Sequence, residues 1–152
     1  MAITAEAVKE LRDMTGVSVM ECKKALEEAA GDIEKAKAIL KERSLVAVAK
    51  KSDRELGAGT VASYIHTTGQ VGALVLLSCE TDFVSKNEEF SGLARDIAMH
   101  ITAMRPSSKE ELVAQPFIKD PSKTIADLIS AATQKFGERT ELGNFACFSV
   151  TE

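Results

Sequence analysis

The chain has 152 residues, enough for one domain or for a small module joined to a second one, and its composition is typical of a folded protein. A formal net charge of -4 and an aromatic content of 5% without Trp argue against a general nucleic-acid or anionic-membrane binder. Three cysteines and two histidines are scattered without any CxxC spacing, which argues against a metal site, a disulfide framework and a nucleophile–base pair. No apolar run approaches the length of a membrane span and no targeting segment precedes the first predicted helix, so we expect a cytoplasmic protein. We also expect no cofactor.

Residues 1–44 are predicted to form a module of three short helices. Each helix is preceded by a residue suited to N-capping, and these residues are Thr4, Ser18 and Asp32. Gly16 and Gly31 end the first two helices, because glycine readily adopts the left-handed conformation found after a helix. The apolar faces are small, which allows close helix packing. Such a module has too little interior for a catalytic pocket, and its predicted role is docking to a partner.

Apolar residues at the first turn of this module are candidates for partner contact. We expect Val17, Val19 and Met20 to be exposed there, with Lys23 beside them. For Val17, packing against the first helix is an equally good interpretation.

A linker is predicted at residues 45–59, before a second domain at residues 60–152. Residues 45–51 are compatible with a continued helix, but Gly57 and Gly59 weaken helix propensity. In the second domain, Thr60–Thr68 and Val71–Leu77 are predicted as a hairpin joined by a two-residue turn. Alternating residues at 144–150 predict a third strand, so the fold class is α+β with a three-stranded antiparallel sheet and packed helices.

A polar turn follows the second strand at Cys79-Glu80-Thr81-Asp82, and Phe83 comes immediately after it. Composition alone favours burial of this Phe, since aromatic side chains are more often buried than displayed. Ser85 and Glu88 have the spacing of a capping box, which predicts a helix from Lys86.

That helix has the clearest periodicity in the chain. Its apolar residues recur at helical spacing and form one stripe made of Phe90, Leu93, Ala94, Ile97, Ala98 and Ile101. The stripe should lie on the sheet, and His100 at its edge should have a structural role. A short helix near 107–112, an extended segment at Gln115–Pro121 and a helix closed by Gly137 complete the domain.

Three segments together resemble the bacterial elongation factor Ts family. They are KELRDMTGVSVMECKKALEEAAGDIEKA near the N-terminus, CETDFVSKNEEF after the second strand and QPFIKD before the last helix. The resemblance implies a three-helix module like that of ubiquitin-associated domains. It also implies a non-enzymatic function, guanine nucleotide exchange on the translational GTPase elongation factor Tu.

The resemblance further implies roles for individual residues. Asp82 and Phe83 would enter the GTPase near its Mg²⁺ and phosphate region, and Thr81 and Val84 would shape the turn. Lys23 matches a family position at the GTPase interface. With the resemblance included, Phe83 is expected to be exposed.

The chain departs from the family pattern in several places. Val17, Ser18 and Val19 stand where the family often has Ala-Gly-Met, and Gly137-Glu138-Arg139-Thr140 stands where a GENI-like motif is expected. A helical excursion before Gln115 is missing, and one copy of the core sheet is present, as in short family members. The uncovered sheet face would then be apolar, so we expect a homodimer through the sheets, with Cys147 near the dyad.

Two other classes of function are alternatives for this sequence. The three-helix module could serve a non-catalytic adaptor that binds other proteins. A small enzyme using Cys79 is disfavoured, because neither histidine is near it in the sequence.

Overall fold

The computed structural model describes residues 2–151, which form an α+β protein with seven helices, a three-stranded sheet and a two-stranded sheet. The predicted fold class is confirmed. The chain divides into two compact units: the first runs to Asp53 and includes Ser130–Gly137, and the second comprises Arg54–Ile129 and the residues from Glu138 onward.

The first unit contains three N-terminal helices, α1 (Ala5–Thr15), α2 (Val19–Glu28) and α3 (Ile33–Lys50). Their predicted caps are confirmed, because the side chains of Thr4, Ser18 and Asp32 each accept a hydrogen bond from a backbone N–H three residues later. The chain reverses after α1 at Gly16, whose φ is 71°, a conformation that favours glycine. The buried core is made of small and medium side chains, including Leu11, Cys22, Ala25, Leu26, Ala36 and Leu40.

In this unit the exposed position expected for Val17 is wrong and its alternative, packing in the core, is confirmed; residues 45–50, which are compatible with a continued helix, are helical. Val17 is 4% exposed, because the left-handed turn at Gly16 folds it back into the core, where its carbonyl accepts a hydrogen bond from the Cys22 thiol. The helix α3 continues to Lys50, so the first part of the predicted linker is helical; the helix-breaking glycines come only at Gly57 and Gly59. The proposed domain limits 1–44, 45–59 and 60–152 stay a prediction.

The remaining elements follow in chain order and are β1 (Ala58–Ile65), β2 (Val71–Cys79), α4 (Asp82–Ser85), α5 (Glu88–Met104), α6 (Lys109–Ala114), β3 (Pro116–Phe117), β4 (Asp120–Thr124), α7 (Ile125–Phe136) and β5 (Glu141–Ser149). The strands β1, β2 and β5 form an antiparallel sheet in the spatial order β1-β2-β5. This arrangement confirms the predicted hairpin completed by the last strand.

The helix α5 packs on one face of this sheet. Its predicted apolar stripe is fully buried at Phe90, Ala94, Ile97, Ala98 and Ile101, while Leu93 is half-buried. On the sheet, the side chains under the helix are the alternate residues Ala73, Val75 and Leu77 of β2. The alternate residues on one face of the strand therefore pack against the apolar stripe of the helix in one core.

Three local predictions in this unit need correction. The hairpin loop holds four residues rather than two, since the His66 N–H donates to the Val71 carbonyl across it. Ser85 does not begin a capping box; it is buried in α4, and Asn87 caps α5 by accepting a hydrogen bond from the Glu89 N–H. The segment from Gln115 is not simply extended, because β3 and β4 form a small hairpin.

The second face of the sheet carries large apolar side chains that are exposed. They are Val61 and Ile65 on β1, Leu74 on β2 and Phe148 on β5, between 51% and 75% exposed. Cys147 is not on this face: it pairs with buried Ala73 and its thiol points to the Ile101 carbonyl of α5. Strand alternation thus directs Cys147 to the helix side of the sheet, and its expected position near a dyad stays a prediction. Within residues 2–151 no helix is long and apolar enough to cross a membrane.

Candidate partner-binding site

The segment Thr81–Val84, called here the TDFV turn, leaves the end of β2 and forms the start of the one-turn helix α4. Phe83 is 89% exposed, the highest exposure of any large apolar side chain among residues 2–151. The next residue, Val84, is 5% exposed. The turn therefore presents an aromatic ring outward while its neighbour is held in the core. Exposure of Phe83 is confirmed; its role stays a prediction.

Polar contacts attach α4 to the strand beside it. The Thr60 hydroxyl of β1 donates to the Ser85 carbonyl at 2.7 Å, and the Ser85 hydroxyl donates to the Asp82 carbonyl at 3.2 Å. With Val84 buried, these bonds fix α4, the helix that carries the exposed ring. Asp82 lies in the first turn of α4, where a carboxylate interacts favourably with the helix N-terminus.

A carboxylate far away in sequence holds the start of the turn. Glu138, just before β5, accepts hydrogen bonds from the backbone N–H groups of Glu80 and Thr81 and from the Thr81 hydroxyl. Sequence reasoning did not predict this contact. It joins residues more than fifty positions apart, and only the pairing of β2 with β5 brings them together.

The N-terminal unit carries a shallow groove between α1 and α2. It is lined by apolar and cationic side chains, among them Val8, Lys9, Arg12, Val19 and Lys23. Val19 is 53% exposed and Met20, next to it, is 67% exposed. The structure thus brings Lys23 together with two further cations that sequence reasoning missed. The i, i+3 spacing of Lys9 and Arg12 on α1 was the available signal.

The thiol of Cys79 is unsuited to nucleophilic chemistry. It is buried at the end of β2 and donates a hydrogen bond to the Thr81 carbonyl at 3.3 Å. Burial raises the pKa of the Cys79 thiol, and the nearby Glu138 carboxylate raises it further. Among residues 2–151 no group of three His, Cys, Asp or Glu side chains is arranged to hold a metal ion.

His100 has the structural role expected of it. Its Nδ1 accepts the Ile118 N–H at 3.3 Å, so its Nε2–H can donate to the Gln115 side-chain oxygen at 2.9 Å. Burial lowers the pKa of His100, and the hydrogen bond with Gln115 opposes that shift. The QPFIKD segment therefore supports α5 through this buried imidazole.

An exposed aromatic turn on a rigid support and, on the other unit, a groove of mixed apolar and cationic character are features typical of proteins that bind other proteins. Comparisons with known proteins specify the family. The sequence profile of elongation factor Ts matches residues 1–111 and 80–152. The chain belongs to the elongation factor Ts family, whose members serve translation elongation.

Individual relatives agree. The chain is 40% identical over 195 aligned positions to elongation factor Ts of Leptospira biflexa, covering 99% of this chain and 98% of that protein. It is likewise 40% identical to elongation factor Ts of Thermosipho melanesiensis, covering 99% and 100%, and 39% identical to that of Desulforamulus reducens, covering 99% and 90%. Alignments of 195 positions exceed the 152 residues of this chain, so these relatives carry sequence without a counterpart here.

Proposed function

We propose that the protein is a guanine nucleotide exchange factor for elongation factor Tu. It promotes GDP release during translation elongation by inserting the Asp82-Phe83 turn near the Mg²⁺ and phosphate region of the GTPase. The supporting observation is the contrast between Phe83, which is 89% exposed, and Val84, which is 5% exposed, within one short helix. A large, rigid ring on a fixed base suits insertion into a partner.

The proposed mechanism makes and breaks no covalent bond. A GTPase holds GDP through backbone N–H groups around the phosphates and a bound Mg²⁺ that neutralises charge. A side chain that displaces the GTPase segments around GDP weakens both the phosphate contacts and the binding of Mg²⁺. The factor must then bind the nucleotide-free GTPase more tightly than the GDP-bound form. By linkage, GDP weakens binding of the factor by the same ratio by which the factor weakens binding of GDP.

The groove of the N-terminal unit is the second proposed contact. Val19 in the groove and Met20 next to it in sequence supply exposed apolar surface, and the groove is also lined by Lys9, Arg12 and Lys23. Positive charge around an apolar groove favours a partner surface that carries carboxylates beside apolar residues. In this proposal the groove contributes affinity for elongation factor Tu, and the TDFV turn promotes GDP release. The factor acts in the cytoplasm without direct contact with nucleic acid or membrane.

A homodimer through the open sheet face is also proposed. Val61, Ile65, Leu74 and Phe148 form one exposed apolar surface across all three strands. Contiguous apolar surface of this kind is uncommon on monomers and is typical of interfaces. A second copy of the same chain offers an equivalent apolar face, which satisfies the self-complementarity that a two-fold interface requires.

The test of the exchange function is release of fluorescently labelled GDP from elongation factor Tu, measured after adding excess unlabelled GDP. The expected result is faster release with this protein than without it. Adding GDP to the complex of the two proteins should weaken the affinity of the factor for the GTPase by the same ratio by which the factor weakens the affinity for GDP. Binding to elongation factor Tu without any change in GDP release would instead indicate the adaptor function.

A further inference from the structure

We propose that Glu138 is a positioning residue for nucleotide exchange, which fixes the TDFV turn so that Phe83 can act on the partner. The inference rests on the proposed function. Glu138 itself lies behind the turn, and its effect is transmitted through Glu80 and Thr81.

The Glu138 carboxylate accepts three hydrogen bonds from the TDFV turn and the residue before it. One carboxylate oxygen of Glu138 accepts the N–H groups of Glu80 and Thr81 at 3.1 and 3.0 Å, and the other accepts the Thr81 hydroxyl at 2.6 Å. Hydrogen bonds to an ionised carboxylate are shorter and stronger than those between neutral groups. Three donors from two consecutive residues therefore fix both the backbone direction and the side chain of Thr81.

Thr81 stands at the N-cap position of α4, where a hydroxyl would ordinarily accept a helix N–H. Its side chain makes no such capping bond, and its hydroxyl donates to Glu138. A helix of one turn has little stability of its own, since nucleation is costly. The orientation of α4 must therefore come from outside the helix, and Glu138 supplies it at the N-terminal end.

The contact is also reciprocal. The Glu80 carboxylate accepts the Arg139 N–H and lies 3.5 Å from the Arg54 guanidinium. Arg139 in turn donates to the Arg54 carbonyl. Thus the β2 end holds the segment before β5 through Glu80, and that segment holds the β2 end through Glu138. These two carboxylate-to-backbone contacts run in opposite directions and together resist movement of either segment along the other. Because the turn is already ordered, less binding free energy is lost to ordering it when Phe83 meets the partner.

A mobility measurement tests the positioning without any partner. The natural chain has no Trp, so Phe83→Trp introduces a single fluorescent reporter at the turn. Glu138→Ala in that background should lower the fluorescence anisotropy of the Trp, because the turn gains local motion. Glu141→Ala is the matched control: its carboxylate pairs with Arg139 and makes no contact with the turn, so anisotropy should not change.

A second measurement tests the consequence for exchange, in chains that retain Phe83. Glu138→Ala should reduce stimulation of GDP release by roughly fivefold or more. Glu138→Gln should restore part of it, because an amide oxygen can still accept the two backbone N–H groups. Far-UV circular dichroism establishes that the variants are folded. If Glu138→Ala does not fold, Thr81→Val, which removes only the hydroxyl bond, should show the same two changes to a smaller degree.

The outcomes separate this inference from the proposed function. Unchanged anisotropy together with full stimulation by the Glu138 variants would overturn the positioning role. Lower anisotropy with full stimulation would overturn it as well, since the turn would then be shown to work without being fixed. If the natural chain itself does not accelerate GDP release, the exchange function fails, and the anisotropy change alone decides whether Glu138 orders the turn.

Discussion

Phe83 and Val84 are consecutive residues with opposite environments: the Phe83 ring is 89% exposed and the Val84 side chain 5%. Both belong to the one-turn helix α4, in which the side chains of consecutive residues point about 100° apart around the helix axis. One side chain is thus anchored in the core while the adjacent one projects outward. This pairing separates the residue that supports the turn from the residue that we propose acts on the partner.

The pair gives a direct mutational prediction. Phe83→Ala should leave the free energy of unfolding within about 0.5 kcal/mol of the natural value, because the ring is exposed. It should nonetheless lower stimulation of GDP release by roughly tenfold or more, since interface aromatics commonly dominate binding. Val84→Ala is the contrasting change and should cost about 1–3 kcal/mol in chemical unfolding, because it leaves a cavity. Full stimulation by Phe83→Ala would contradict the proposed insertion.

The N-terminal groove predicts a charge effect on affinity. Lys23→Glu should weaken binding to elongation factor Tu by roughly tenfold and flatten its dependence on salt concentration. Titration calorimetry at two ionic strengths measures both. Lys50→Glu makes the same change in net charge on an exposed residue of α3 outside the groove and should have little effect. Equal losses from the two variants would indicate a general charge effect rather than a groove contact.

The open sheet face predicts a change in oligomeric state. The natural chain should sediment with the mass of two chains at micromolar concentration. Phe148→Glu places a charge on the apolar face and should shift the protein to a single chain, because burying an unpaired carboxylate is costly. Thr67→Glu, in the exposed hairpin loop, is the control and should remain dimeric. A natural chain that sediments as one copy would refute the dimer.

Buried His100 predicts a pH dependence of stability. Its pKa in the folded protein lies below the ordinary histidine value of 6.5. The unfolded chain therefore takes up the proton first as pH falls. The contribution of His100 is fully present above pH 6.5 and is lost as pH decreases toward its folded pKa. Urea unfolding between pH 5 and 8 measures the loss, which should be smaller in His100→Gln.

A ring titration followed by nuclear magnetic resonance provides an independent check. His100 and His66 are the two histidines of the chain, and His66 is exposed. The His100 signal should titrate below 6.5. A His100 signal that titrates above 6.5 would mean that the protonated ring is stabilised, and the predicted direction of the pH effect would be wrong.

Local signals in the sequence predicted most of the elements correctly. Caps at Thr4, Ser18 and Asp32, the helix-ending Gly16 and the stripe of α5 act over a few residues, so the sequence near each one suffices. The same local signals failed at Ser85. Its spacing to Glu88 fits a capping box, yet burial against β1 and the bond from Thr60 place it inside α4 instead.

By itself, the sequence determined the α+β class, the order of the longer helices and of the three main strands, and the segments that relate the chain to elongation factor Ts, because these depend on periodicity, capping and motif identity. Only the tertiary structure decided that Val17 is buried, that Cys147 faces α5 and that Glu138 holds the TDFV turn. Each of these depends on how distant segments pair across a turn or a sheet. A side chain's environment is then set by partners that its own neighbourhood in the sequence does not contain.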